Sequence, residues 1–246
     1  QPVDLLEINI SCPNVKEGGI AFGQDPKAVE AITKEMKKHA AQPVIMKLSP
    51  NVTDISEIAL AAESAGADAV SMINTLTGMR IDINTKRPII HNNTGGFSGP
   101  ALLPIAVRMV WQTYQKVKIP IVGLGGISTW QDAVEMLLAG ATALQIGTVL
   151  FTDPYAPVKI TEGLTNYMDK NGVKTLSELT GAMRPWYMIW KNYTYILCAT
   201  AKASATTRIF FRVSLTSISA LQEKSSWRFW RCGFGTSRSM LCIRAR

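Results

Sequence analysis

The sequence predicts an α/β protein in which parallel strands alternate with helices. Short apolar runs of strand length recur through the first 150 residues, and segments with helical spacing lie between most of them. Two helix-to-strand joints are near copies, Ala-Gly-Ala-Asp-Ala at residues 65–69 and Ala-Gly-Ala-Thr-Ala at residues 139–143. This repeated unit favours a (β/α)8 TIM barrel over a doubly wound sheet.

Each predicted element has a local signal. The strand-like runs are residues 5–10, 44–48, 69–73, 121–124 and 144–146. Helix starts are predicted at Asp25-Pro26, at Thr53 or Asp54, at Pro100, and at Ser128, where Gln131 three residues on resembles a capping box. Because a closed barrel needs eight strands and the sequence offers about five strand-helix units, we predict an incomplete barrel.

Two further segments depart from the repeat. Residues 78–93 place isoleucines on both sides of a turn at Asn84-Thr85, which predicts a hairpin at the mouth of the barrel. The third helix is predicted to run through Val117. After residue 183 neither the helical nor the strand period persists, so we predict two parts, a barrel at residues 1–183 and a tail of unknown structure at residues 184–246.

The charge distribution argues against a nucleic-acid partner. The net charge of +8 belongs to residues 184–246, which hold 11 basic side chains and one acid, whereas residues 1–183 hold 15 basic and 17 acidic side chains. No apolar run reaches the ~18 to 20 residues of a membrane span. Four irregularly spaced cysteines without a signal peptide favour a reducing, cytoplasmic location.

The first predicted strand leads to a thiol. In Glu-Ile-Asn-Ile-Ser-Cys-Pro-Asn at residues 7–14, Pro13 stops the strand, so Cys12 follows its C-terminal end, flanked by Asn9 and Asn14. Parallel α/β folds place their chemistry at this end of the strands, and amides suit a planar polar ligand. On spacing alone, a small buried cysteine is an equally good interpretation.

Polar residues also occur in or after the next two strands. Lys47 lies within an apolar strand, where a charge is costly unless an anionic group meets it, although a strand-end lysine can also extend to solvent. Asn74 and Thr75 follow the third strand in the same way and are predicted either to bind a ligand or to cap a turn.

Three glycine sites follow strands or precede helices. They are Gly95-Gly96-Phe97-Ser98-Gly99, Gly125-Gly126 and Gly147-Thr148. Glycines at such turns let backbone N–H groups approach a phosphate, and the last two loops of a barrel are its usual phosphate site. We therefore predict a phosphate-bearing cofactor. His39 and His91 lie outside any cluster of Cys or Asp, so no metal site is predicted.

These motifs together resemble one enzyme family. With Asn-Ile-Ser-Cys-Pro-Asn at 9–14, Lys-Leu-Ser-Pro-Asn at 47–51, Ile-Asn-Thr at 73–75, and the glycine motifs at 95–99 and 123–127, residues 5–179 resemble the dihydroorotate dehydrogenases. The chain looks most like the catalytic subunit of the NAD-linked, two-subunit class (class 1B). The membrane-bound class has Ser at the position of Cys12. The resemblance implies an FMN-bound barrel, here about its last five βα units, that oxidises dihydroorotate to orotate in pyrimidine synthesis.

The resemblance also implies roles for particular residues. Cys12 would be the base that takes the C5 proton, and Asn9, Asn14, Asn74 and Thr75 would bind the substrate. The FMN-contacting residues would be Asn9, Lys47, Ile73, Gly99, Gly125, Gly126, Gly147 and Thr148. The family further implies a homodimer of catalytic subunits and a partner subunit carrying FAD and a 2Fe-2S cluster.

Some features of the sequence favour other interpretations. The family's first three barrel strands have no counterpart here and the tail matches nothing in the family, which favours an inactive fragment or a non-catalytic interaction module. The related dihydropyrimidine dehydrogenase domain carries an acid Cys before Gly-Gln-Asp-Pro, where this sequence has Phe22 before residues 23–26. Phe22 favours the dihydroorotate interpretation.

Overall fold

The structure, a computed structural model, describes residues 3–10, 22–186, 228–232 and 240–244. The chain divides into two compact units, Gln1–Arg184 and Pro185–Arg246. In chain order the elements are β1 (Leu6–Asn9), α1 (Pro26–His39), β2 (Val44–Lys47), α2 (Ile55–Ser64), β3 (Ala69–Met72), β4 (Leu76–Gly78), β5 (Ile81–Asp82), β6 (Arg87–Pro88), β7 (Gly95–Phe97), α3 (Leu103–Tyr114), β8 (Ile121–Leu124), α4 (Trp130–Ala139), β9 (Ala143–Gln145), α5 (Ala156–Asn171), β10 (Arg228–Cys232) and β11 (Met240–Arg244).

Five parallel strands form the main sheet of the first unit, in the order β1-β2-β3-β8-β9. A helix follows each of the five strands along the chain, and 3-10 turns at Pro100–Leu102 and Thr148–Phe151 precede α3 and α5. The five predicted strands agree with the observed ones to within one residue at either end. The predicted fold, part of a (β/α)8 barrel, is confirmed.

The core lies between the sheet and its helices. β3, in the middle of the sheet, is buried along its whole length, as expected for a parallel strand covered on both faces. Met46 on β2, Val70 on β3 and Val110 on α3 are fully buried. Asp68 connects the first residue of β2 to α1. Its carboxylate accepts from the Val44 backbone N–H at 2.7 Å and pairs with the Lys37 ammonium at 2.6 Å.

Two of the helix starts agree with the sequence signals, and one prediction is wrong in detail. Asp25 and Asp54 are the N-caps of α1 and α2. The capping box of α4 is not formed by Ser128 and Gln131 but by the pair one residue later, Thr129 and Asp132. The Asp132 carboxylate accepts from the backbone N–H of both Ser128 and Thr129, which is a stronger interaction than a neutral glutamine amide provides.

The third helix is also shorter than predicted. α3 begins after a 3-10 turn at Pro100–Leu102 and ends at Tyr114. Val117 lies beyond it, although its side chain is buried and its N–H donates to the Thr113 carbonyl. Its apolar character therefore reflects packing after the helix rather than a further helical turn.

The insertion after β3 forms two antiparallel ribbons. In the first, Ile81 pairs with Pro88 and Asp82 with Arg87, so the predicted hairpin at residues 78–93 is confirmed. In the second, β4 pairs with β7. The second unit contains an antiparallel pair of its own, in which Arg228 of β10 lies opposite Arg244 of β11. The sequence periodicity did not predict these two strands.

Candidate active site

A cavity of about 340 Å³ lies where β2, β3, β8 and β9 end. Nine residues predicted to bind cofactor or substrate line it, namely Lys47, Ile73, Asn74, Thr75, Gly99, Gly125, Gly126, Gly147 and Thr148. The remaining lining residues are Ser98, Leu102, Leu124, Ile127, Ser128, Gln145, Ile146 and Val149. Parallel strands bring these loops together because their carboxyl ends meet at one face of the sheet.

One charged side chain lines the described part of the cavity, and it is held by an ion pair. The Lys47 ammonium lies 3.0 Å from Glu7 Oε1. The other carboxylate oxygen of Glu7 accepts from Gln145 Nε2 at 2.6 Å. Both partners of the ion pair are mostly buried, with 20% and 24% of the Lys47 and Glu7 side chains exposed.

Glu7 is charged in this environment. Burial alone would raise the pKa of its carboxyl group, but hydrogen bonds from Gln145 and Lys47, with the charge of Lys47, outweigh burial and lower that pKa below its usual value. Neither Glu7 nor Gln145 was predicted from the sequence to be a site residue. The available signal was the strand period, which places Glu7 on the same face as Asn9.

The predicted amides are arranged by hydrogen bonds across the sheet. Asn74 Nδ2 donates to Asn9 Oδ1 at 3.0 Å, which links the segment after β3 to β1. The Thr75 backbone N–H donates to Asn74 Oδ1 at 2.8 Å, and this hydrogen bond fixes the orientation of the Asn74 side-chain amide. Asn9 and Asn74, which are 65 residues apart, are thus brought together.

A further asparagine holds the same segment in place. Asn51 Nδ2 donates to the Thr75 carbonyl at 3.1 Å, and Asn51 Oδ1 accepts from the Thr77 N–H at 2.8 Å. The motif at residues 47–51 contributed to the resemblance, but no role had been predicted for Asn51. It holds the backbone of residues 75–77, next to the predicted substrate-binding residues Asn74 and Thr75.

The glycines of the cavity are of two kinds. Gly126 has φ +81°, and a Cβ there would lie 2.5 Å from the Leu103 backbone N and 3.0 Å from the Gly99 carbonyl oxygen. Glycine is therefore required for the fold at this position. Gly147 has an ordinary negative φ, and a Cβ there would meet nothing within 4 Å. At Gly147, which lines the cavity, a side chain would therefore not collide with the rest of the fold.

Two predicted site residues, Cys12 and Asn14, lie outside the described residues. Their roles stay predictions. In the described ranges no helix is long and apolar enough to cross a membrane. Within those same ranges no group of three His, Cys, Asp or Glu side chains is placed to hold a metal ion.

Comparison with known proteins identifies the family. The family described as dihydroorotate dehydrogenase matches residues 1–168, which is more than half of the chain. The chain belongs to the dihydroorotate dehydrogenase family. This confirms the resemblance recognised in the sequence.

Curated relatives carry the name of the NAD-linked class. The catalytic subunit of dihydroorotate dehydrogenase B (NAD(+)) from Lachnoclostridium phytofermentans is 59% identical over 184 residues, covering 75% of this chain and 61% of the relative. The subunit of the same name from Caldicellulosiruptor bescii is 56% identical over 181 residues, with 74% and 60% covered. The chain thus spans about 60% of the length of these relatives.

A solved structure supports the fold. DHODH from Eimeria tenella, crystallised in complex with ferulenol, superposes with a TM-score of 0.60 at 24% sequence identity. The match covers 73% of this chain and 54% of that protein. At this identity the likeness shows the fold alone, and it agrees with the family's barrel.

Proposed function

We propose that the protein, at its full natural length, is the catalytic subunit of an NAD-linked dihydroorotate dehydrogenase, which binds FMN and oxidises dihydroorotate to orotate in pyrimidine synthesis. One observation carries the proposal. In a chain of this family, a single cavity at the strand ends combines glycine loops, one lysine and the Asn74-Thr75 pair. That combination offers places for a phosphate, a flavin ring and a planar polar substrate.

The cavity fits a phosphate-bearing flavin on chemical grounds. Gly125, Gly126, Gly147 and Thr148 would hold the phosphate, because backbone at these loops reaches the cavity without side chains in the way. Lys47 would face the flavin ring and offset the negative charge that reduction places on it. Ile73, next to Asn74, supplies an apolar wall, and the peptide bond between Met72 and Ile73 is cis.

Bound FMN would supply the acceptor for the hydride that leaves C6 of dihydroorotate. The sulfur of Cys12, as thiolate, would take the proton from C5, so that a C5–C6 double bond forms and orotate results. Asn9, Asn14, Asn74 and Thr75 would hold the pyrimidine ring through its amide and carbonyl groups. The observed Asn9–Asn74 hydrogen bond supports this assignment, because it brings two of the three amides together.

The electrons would then leave through a second protein. The relatives are named catalytic subunits of an NAD(+)-linked enzyme, and this name supports a partner subunit. By resemblance to the family, that partner would carry FAD and a 2Fe-2S cluster. We further propose that two catalytic subunits form a homodimer and that the enzyme acts in the cytoplasm. These points rest on membership of the family.

The test is purification of the full-length protein followed by two measurements. We expect a flavin absorbance spectrum with FMN released on denaturation, and dihydroorotate-dependent reduction of an artificial dye with formation of orotate. Dihydrouracil in place of dihydroorotate tests the dihydropyrimidine alternative. Activity with dihydrouracil alone, or an FMN whose phosphate lies away from the loops at residues 125–126 and 147–148 in a structure with cofactor, would overturn the proposal.

A further inference from the structure

Three side chains from three different strands meet at the candidate flavin site. Glu7 comes from β1, Lys47 from β2 and Gln145 from β9, and the Glu7 carboxylate contacts both of the others. β1 and β9 are the two outer strands of the five-stranded sheet. The sheet is therefore curved enough for its outer strands to exchange a side-chain hydrogen bond across its concave face.

The contacts hold the carboxylate in one orientation. Each oxygen of Glu7 has its own donor, Lys47 at 3.0 Å and Gln145 at 2.6 Å. A carboxylate bound through both oxygens cannot rotate away without losing one hydrogen bond. In a site with under a quarter of either side chain exposed, separating the ion pair is also costly, because each charge would remain partly desolvated.

This geometry changes the charge that a ligand meets. Lys47 is the one charged residue lining the described part of the cavity, and taken alone it would present a positive charge to any bound ring. Because Glu7 Oε1 lies 3.0 Å from its ammonium, Lys47 instead presents to the ligand one member of an ion pair of zero net charge. Water screens such a pair less than it screens a surface pair, so the carboxylate is felt inside the cavity.

We propose that Glu7 is a charge-balancing residue for Lys47, fixed by Gln145, so that the Glu7–Lys47 pair rather than the lysine alone sets how tightly the site holds reduced relative to oxidised flavin. The inference rests on the proposed function, because it takes FMN as the ligand. It assigns a role to two residues, Glu7 and Gln145, outside the set predicted from the sequence.

The test is the midpoint potential of bound FMN in four forms of the full-length protein. Glu7→Gln keeps the size of the side chain and removes its charge, so the uncompensated lysine should favour the anionic reduced flavin about tenfold. For a two-electron couple that is a rise of about 30 mV. Lys47→Met leaves the carboxylate uncompensated and should lower the potential, and the double variant should return close to the parental value.

Two further variants distinguish an effect of the Glu7 charge on the potential from an effect of altered structure. Glu7→Asp retains the charge, so its potential should stay near the parental one. Glu162→Gln removes an exposed carboxylate on α5 and should leave the potential unchanged. A parental potential in Glu7→Gln would overturn the proposal. A fall in both single variants would also overturn it, since that result means that Glu7 only keeps Lys47 in position.

A second readout does not depend on flavin. In the flavin-free proteins, urea unfolding of the same four forms should show coupling, with the double variant less destabilised than the two single variants added together. Additive losses would contradict the ion pair. If the parental protein binds no FMN, the proposed function fails, and this cycle still decides whether Glu7 and Lys47 act as a pair.

Discussion

The chemistry proposed for this protein depends on one ionisable side chain, the thiol of Cys12. A free thiol titrates near pH 8.5 and a serine hydroxyl far above it, so the thiol is a much better base at neutral pH. In the full-length protein, Cys12→Ser should slow dihydroorotate oxidation about 100 to 10,000-fold at pH 7. Partial recovery is expected at high pH, where hydroxide removes more of the substrate's protons.

The rate of flavin reduction by dihydroorotate, followed by stopped flow from pH 6 to 10, measures this directly. Cys198→Ser, in the tail, is a control for the loss of a thiol as such. An unchanged rate for Cys12→Ser at pH 7 would show that Cys12 only packs.

The glycines in the loops that follow the strands have different roles, and substitution by alanine distinguishes a role in folding from a role in binding. At Gly147 a Cβ meets no atom within 4 Å, so Gly147→Ala should leave the melting temperature of the flavin-free protein unchanged. Gly147 lines the cavity, however, and the FMN affinity of the variant should fall about tenfold or more if the phosphate lies against this residue. Fluorescence titration of FMN and differential scanning calorimetry give the two values.

The matched variant is Gly126→Ala, whose Cβ would collide with backbone at Leu103. It should lower both stability and FMN affinity. If Gly147→Ala binds FMN as tightly as the parental protein, the phosphate does not lie against Gly147.

The carboxylate at the N-terminus of α2 makes the stability of the fold depend on pH. Hydrogen bonds from the Ser56 side chain, the Lys116 ammonium and the Ser56 backbone lower the pKa of Asp54 from 3.8 to about 2. A carboxyl group whose pKa is depressed by folding stabilises the fold above its unfolded pKa of 3.8. That stabilisation is lost as the pH falls through the interval from 3.8 to about 2.

Asp54→Ala removes both the cap and the charge and should cost about 1 kcal/mol at pH 7. Asp54→Asn keeps a capping oxygen and should cost less. Urea unfolding at pH 7 and at a series of values down to pH 3 should show the gap between parental protein and Asp54→Ala narrowing at the acid end. A gap that is constant with pH would mean that folding does not lower the pKa of Asp54.

At the scale of the whole molecule, the two outer strands of the main sheet affect whether residues 1–246 aggregate when they are expressed alone. Within the described residues β1 and β9 each have one neighbour in the sheet. Apolar side chains near both strands are exposed, including Leu5 at 52% and Phe151 at 91%. Open edges and uncovered apolar surface favour aggregation.

We therefore expect residues 1–246 expressed alone to bind FMN poorly and to show no dihydroorotate-dependent dye reduction. Size-exclusion chromatography should find aggregates. The control is the full-length protein prepared in the same way. A soluble, yellow and active preparation of residues 1–246 would show that no further strands are needed.

The flow of electrons is also a property of the whole assembly. If the protein is the catalytic subunit of a two-subunit enzyme, the isolated catalytic chain at full length should reduce dyes but reduce NAD at a negligible rate. The printed sequence has no Gly-x-Gly-x-x-Gly turn for a dinucleotide, which supports this expectation. Rapid formation of NADH by that chain without a partner would contradict it, and addition of the partner subunit provides the positive control.

Much of this molecule was determined by local sequence. Strand positions followed from short apolar runs, and helix starts from Asp25 and Asp54, because an aspartate oxygen satisfies backbone N–H groups only two or three residues away. Nine of the cavity-lining residues, among them Lys47 and Thr148, were also predicted, since strand ends and glycine loops can be recognised without knowing what lies opposite them.

Tertiary structure alone decided which side chains meet. Glu7 and Gln145 are 138 residues apart, and only the curvature of the sheet brings them within hydrogen-bonding distance. Asn51 likewise forms hydrogen bonds with the backbone of residues 75–77 because β2 and β3 are parallel neighbours. Local patterns place each side chain on an element, but the curvature and register of the sheet determine its partner across the site.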